Sequence, residues 1–253
     1  MEVHAHTHTA RKKWTHYFWE FIMLFLAVFC GFLAENIREH AVERHREKQF
    51  IQAYLEDLKT DTANIKRNIL FRKQKGEQMD SLMLLLASQK IKGHESDLYY
   101  LGRMLIRTNR FQTADGTITQ LKSSGSLRLI RNVQSADSMM SYQKLVEIIM
   151  LNQDDDRLER RAADPLLSHI FNPFIFDKMV AIDGIHRPDN NPPLRSYDPN
   201  LFQDLAYDIG QIKGSNFLIE NRLKLLYKKA IDLIALLKKE YHLSERTLQR
   251  SPS

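Results

Sequence analysis

The stretch WTHYFWEFIMLFLAVFCGFLA, Trp14 to Ala34, is entered through Arg11, Lys12 and Lys13 and left through Glu35, Asn36, Ile37, Arg38 and Glu39. Its 21 residues form the one membrane-grade segment of the chain. As an α-helix rising ~1.5 Å per residue they span roughly 30 Å, the thickness of a bilayer's hydrocarbon core. The reading is a single crossing, which makes the lipid bilayer the chain's first partner.

Three basic residues precede the span with no acid between. After it, Glu35, Glu39, Glu43 and Glu47 balance Arg38, Arg44, Arg46 and Lys48. The positive-inside bias then keeps residues 1–13 in the cytoplasm and sends 35–253 across the membrane, into the periplasm of a bacterium with the span in its inner membrane. Trp14, Tyr17, Phe18 and Trp19 fall at the cytoplasmic headgroup level, where amphipathic rings gather. A cleavage site wants small residues at its −3 and −1 positions; Phe32-Leu33-Ala34 offers Phe, so the segment reads as an uncleaved signal anchor. Cys30, between Phe29 and Gly31, lacks the preceding small residue of a lipoprotein site and reads as an apolar thiol. As the sole cysteine it leaves no intrachain disulfide.

Glu20 is the anomaly of the span, because an ionisable residue within a membrane helix is costly. It lies six residues after Trp14 and one turn after His16. One reading has it snorkel to the cytoplasmic interface; the others make it a contact for a partner helix or a proton-handling group. His4, His6 and His8 alternate in a tail that has nothing to fix their geometry, so a solvated tail is expected there rather than a metal site.

Of the 253 residues 43% are hydrophobic and 27% charged, ordinary for a folded chain, and the net charge of +6 is dispersed. No aromatic-basic nucleic-acid motif occurs, so no nucleic-acid partner is expected. Phe50, Ile51, Tyr54, Leu55, Leu58, Thr62, Ile65 and Ile69 recur at intervals of three and four, an amphipathic helix running to about Gly76 and continuing the span outward as a stalk. Residues 77–91 and 95–108 read as two shorter antiparallel helices joined at Gly93, and 117–121 as another, stopped by Ser123, Ser124, Gly125 and Ser126. Residues 133–170 read as a second long helix, paired with the first. Asp154, Asp155 and Asp156 within it lack the alternation of a calcium loop, and Arg157, Arg160 and Arg161 offer them intrahelical ion pairs.

Residues 172–198, with Pro173, Pro188, Pro192 and Pro193, form a Pro-rich loop. Asp198-Pro199 opens a short helix ending near Gly210, and Asn216 caps a last helix that runs to about Tyr241. No strand alternation is sustained. The expected fold is all-α, a transmembrane helix continuing into an antiparallel helical bundle over 35–253.

Two blocks carry a resemblance, Phe18 to Asn36 and Leu121-Lys122-Ser123-Ser124-Gly125-Ser126-Leu127-Arg128-Leu129-Ile130. Together they resemble a family of single-span membrane proteins from Bacteroidetes, in which an acid before the span, a late Gly, a charged helix and a Leu-x-x-Ser-Gly-x-Leu-x-Leu-Ile element recur in order. The resemblance covers the first half of the chain and implies a Gram-negative envelope location; the family brings no established activity.

Motifs for phosphate binding, a nucleophile elbow or a zinc site are missing from the sequence, and the lone thiol sits in the span. Ser123, Ser124 and Ser126 read as a helix stop. His94, His169, His186 and His242 are scattered. Neither an enzyme nor a cofactor is expected. The residues expected to matter are those of the membrane anchor: Arg11, Lys12, Lys13, Trp14, Trp19, Glu20 and Gly31. The reading is a membrane-anchored scaffold or regulatory subunit with protein partners in the envelope or a second copy of itself. A periplasmic ligand sensor working through a partner and an accessory subunit of an ion-driven motor are its rivals.

Overall fold

The computed structural model describes residues 14–88 and 91–243; Arg11, Lys12, Lys13 and the tail histidines His4, His6 and His8 lie outside them. The chain is all-α. Helix α1 (Trp14–Ser88) is followed by α2 (Glu95–Leu105), α3 (Gly116–Ser123), a 3-10 turn (Ser126–Leu129), α4 (Val133–Ala162), α5 (Asp164–Ile170), α6 (Pro173–Lys178) and α7 (Pro199–Glu240). A small antiparallel hairpin, β1 (Val180–Ala181) with β2 (Gly184–Ile185), stands between α6 and α7. Among the described residues α1 is the one helix long and apolar enough to cross a membrane.

The described residues divide into two compact units, one ending at Phe50 and the other starting at Ile51. In the first, the rings of Phe21, Phe25 and Phe29 stack one turn apart with centroids 6.3 and 5.8 Å apart. Trp14 stacks on Phe18 in the same way at 6.4 Å.

The second unit is organised by buried stripes. On α7 the buried positions Phe202, Leu205, Ile209, Ile212, Asn216 and Ile219 continue through Leu223, Leu226, Ala230, Leu233 and Leu237, alternating steps of three and four. That repeat of 3.5 residues is the spacing of a coiled-coil seam. On α1 the same rhythm runs from Ile51 through Leu58, Ile65, Met79 and Leu82 to Leu86. Helix α4 lies antiparallel to α7: Asn132 Nδ2 donates to Glu240 Oε2 at 2.9 Å near one end, and Ser215 Oγ to Glu159 Oε1 at 2.9 Å near the other.

Several boundaries differ from the sequence reading. Helix α1 continues through Gly76 instead of restarting after it. An interior Gly costs about 1 kcal/mol, and burial of Met79, Leu82 and Leu86 on the stripe beyond it outweighs that. Likewise α7 runs unbroken through Gly210 and Gly214, and Asn216 is no cap but a buried side chain in mid-helix. Both glycines face outward, with nothing within 4 Å of a Cβ, so neither interrupts the seam. The helix expected over 133–170 breaks at Ala163, because Pro165 has no N–H for the next helical bond. The Pro-rich stretch is not wholly irregular: Asn172 caps α6 by accepting from Phe174 N at 3.0 Å, and the hairpin follows. The Asp198 cap holds as expected, accepting from Asn200 N at 2.9 Å.

Helix α2 meets the α5–α6 corner through Tyr99, Phe171 and Phe176, whose centroids lie 5.0 to 5.8 Å apart. Gly102 admits the ring of Phe171: a Cβ there would sit 2.7 Å from two ring atoms. Gly102→Ala is therefore expected to destabilise the protein by about 1–3 kcal/mol through overpacking. Gly210→Ala or Gly214→Ala should stabilise it by roughly 0.5–1 kcal/mol. Urea midpoints of the full chain in detergent check both; equal shifts would refute the contrast.

Candidate functional site

Four helices of the second unit converge on one carboxylate. Asp156 on α4 accepts from Arg72 Nη1 of α1 at 3.0 Å through Oδ2, and from Arg160 Nε at 3.0 Å through Oδ1. All three side chains are buried. Arg72 Nη1 also reaches Asn216 Oδ1 on α7 at 3.3 Å, while Asn216 Nδ2 donates back to the Arg72 carbonyl at 2.9 Å. Arg160 Nη1 donates to the Leu105 carbonyl, and Lys75 Nζ to that of Met104 at 2.6 Å. These are carbonyls at the C-terminal end of α2, which carry the negative end of the helix dipole; that of Met104 also accepts from Arg107 N at 3.1 Å.

Burial disfavours the charge of the two α1 cations, Arg72 and Lys75. It lowers Arg72 from its ordinary value, opposed by the adjoining Asp156. Lys75 is pushed down to about 7, first by burial and then by Arg160, Arg107 and Arg72. Burial also raises Glu159, though Ser215 donates to it.

A second buried carboxylate, Asp61, shapes the segment before α3. It accepts from Tyr142 Oη and Thr113 Oγ1 at 2.7 Å and from Ala114 N at 2.6 Å. Burial still raises its pKa above the usual carboxylate range, and burial likewise raises the Tyr142 and Tyr54 hydroxyls. Gln153 pairs with both backbone groups of Phe111, accepting from its N–H at 2.7 Å and donating to its carbonyl at 3.2 Å.

The third carboxylate, Glu95, organises the end of the Pro-rich stretch. It accepts from Gly93 N at 2.8 Å, Tyr197 Oη at 3.0 Å and Asn191 Nδ2. Burial opposes its charge, yet these bonds and its own backbone N–H hold it below the usual range. Beside it opens a cleft of about 740 Å³ between the last turns of α1, the α1–α2 connection and the first turns of α7. Its volume is that of a small-molecule site.

The sequence-derived anchor residues fall as follows. Trp14 and Trp19 are exposed on α1, Gly31 has nothing within 4 Å of a Cβ, and Glu20 Oε1 lies 3.1 Å from His16 Nδ1. His16, Glu20, Met23, Ala27, Gly31 and Ala34 recur at steps of three and four. At 3.6 residues per turn they share one face, opposite the stacked rings. The other histidines are not brought together: His94 lies 4.0 Å from Asp97, His169 contacts the Pro165 carbonyl and His186 contacts Asp183. No group of three or more potential metal ligands occurs among the described residues. Asp156 pairs with buried arginines from both α1 and its own helix, while Arg157 lies 3.9 Å from Asp154. At the serine turn Gly125 takes φ +66°, and Ser124 Oγ donates to the Gln120 carbonyl at 2.7 Å.

Arg72, Lys75 and Asp61 escaped the sequence reading because they are polar, and Asn216 entered it only as a helix cap. The signal was present nonetheless, since each stands on the step of three or four that links apolar core positions of its helix.

Comparison with known proteins found no matching family model, no similar curated protein and no similar solved structure.

Asp156→Asn should cost about 3–5 kcal/mol, since it strips the counter-charge from two buried guanidiniums; a loss below 1 kcal/mol in chemical denaturation would refute that role. Lys75 supplies a pH signature. Folded, it holds its proton only below about 7; unfolded, up to its ordinary 10.5. The unfolded chain binds more protons between those values, so stability rises with pH across that window. Lys75→Met should remove this rise, seen as a smaller gap between urea midpoints at pH 7 and pH 9.5 than in the parent chain.

Proposed function

We propose that this chain is a single-pass inner-membrane protein with its N-terminus in the cytoplasm and a periplasmic antiparallel helical bundle. Its role is that of a non-enzymatic scaffold or regulatory subunit of a cell-envelope complex. The two-faced span carries the reading. One side stacks Phe21, Phe25 and Phe29; the other sets the His16–Glu20 pair in line with Ala27, Gly31 and Ala34. Lipid tails solvate the aromatic side well. Small residues let another helix approach closely, and an ionisable pair finds a better partner in a neighbouring helix than in hydrocarbon. The resemblance to single-span envelope proteins supports the same address.

A periplasmic ligand sensor is the second reading, favoured by the cleft beside Glu95.

Extraction of the full chain in mild detergent is expected to yield a particle heavier than one copy plus its micelle. Ala27→Leu with Gly31→Leu should release it as a monomer. Cys30, the sole thiol, borders the same face and reports a self-pairing directly by bismaleimide cross-linking. A parent chain that runs as a monomer in every mild detergent overturns the scaffold reading.

A further inference from the structure

We infer that the cleft between the end of α1 and the start of α7 binds a single-chain amphiphile with an anionic head, a fatty acid or a lysophospholipid. The site lies wholly within the second unit and is independent of the anchor's partner.

The lining is graded from apolar to polar. Leu86, Ile91 and Phe202 form a floor that is at most 7% exposed, and Met83 and Ala206 continue its walls. Lys92, His94 and Gln203 are exposed at the edge. An apolar chain fits the floor, where each methylene leaves water; a polar head fits the edge.

The charge of the head follows from what the lining offers. Among the described residues it includes the cation Lys92 and the imidazole of His94, and no Asp or Glu. Glu95, next to His94 in the chain, is turned inward and occupied by Gly93, Asn191 and Tyr197, and Asp198 is occupied by the Asn200 N–H. The Tyr197 hydroxyl is itself committed, donating to Glu95 and accepting from Leu194 N at 3.2 Å. Asp97, which lies 4.0 Å from His94, is outside the lining. An anionic head meets Lys92 without desolvating an acid, whereas a cationic head meets a like charge.

The volume of about 740 Å³ sits in the usual range for small ligands and limits the chain to one. Burying a methylene contributes about 0.8 kcal/mol, or roughly a fourfold gain in affinity at 1.4 kcal/mol per decade. Affinity should therefore climb about fourfold per carbon and then level off once the floor is full.

The test uses the full chain in phosphatidylcholine nanodiscs, photolabelled with a diazirine fatty acid, the adducts being mapped by peptide mass. Labelling of the peptides holding residues 83–92 and 197–206 is expected, beside background labelling of the span. Unlabelled decanoate, dodecanoate and tetradecanoate should compete with rising strength. Better competition by lauroyl-lysophosphatidylglycerol than by dodecanoate assigns the head to a lysolipid, and the reverse to a fatty acid. Ala206→Trp, which fills the cleft, should abolish the cleft adducts and leave those of the span. Lys92→Glu, an exposed change, should weaken dodecanoate competition tenfold or more while sparing dodecanol. Labelling confined to the span overturns the proposal. Competition by dodecanol or dodecylammonium as strong as by dodecanoate overturns its anionic head.

Discussion

One carboxylate, Asp156, holds two buried guanidiniums, and the packing of the second unit depends on that neutralisation. Arg72 and Arg160 are almost wholly removed from water, and neither charge is tolerable there alone. A buried ion cluster seldom stabilises a fold more than well-packed apolar groups of the same volume. What it enforces is register. Helices with a long 3.5-residue seam could slide by a heptad and still bury Leu against Leu. Such a slide would draw Arg72 away from Asp156 and Asn216 together, leaving three polar side chains without partners. The cluster also satisfies the last carbonyls of α2, so the short helix is set by the same contacts that align the long ones.

The connections between helices follow a related rule. Backbone groups in an irregular segment need partners once buried. Here side chains from the long helices supply them: Asp61 and Gln153 serve residues 111–114, Asp57 accepts from Thr117 N at 3.0 Å, and Glu95 with Tyr99 pins the stretch before α7. Two consequences reach function. The cleft wall at Tyr197 is held by hydrogen bonds to Glu95 and Leu194, and that carboxylate is spent internally. The span presents its rings and its His16–Glu20 face outward, a surface suited to lipid on one side and to another helix on the other.

How much of this was legible beforehand varies by element. The span, the Asp198 cap and the Gly125 turn are legible in the sequence, since each rests on a local pattern. The amphipathic helices were readable in part. Phe50 to Leu58 mark the α1 stripe, but hydrophobicity points to Thr62 and Ile69 as its continuation where Asp61 and Asn68 are buried instead. Local propensity places breaks at Gly76, Gly210 and Asn216. Their helices persist because the seam on either side buries large apolar groups. The apolar period runs on past Pro165, yet the missing N–H there ends α4's hydrogen-bond ladder.

The chain's local pattern alone determined its helical class, its single membrane-grade segment and the apolar side of most helices. Hydrophobicity and a period of three to four residues act over one or two turns and need no knowledge of neighbours. Tertiary structure decided the rest. It determined that Arg72, Asp156 and Asn216 meet, that Gly76 and Gly210 are crossed rather than respected, and that Met83, Leu86 and Ile91 line one cleft with Phe202 and Ala206. Arg72 lies 84 residues from Asp156 and 144 from Asn216 in sequence. No local preference registers the cost of leaving such groups unpaired, because desolvation is imposed only when distant helices close around them.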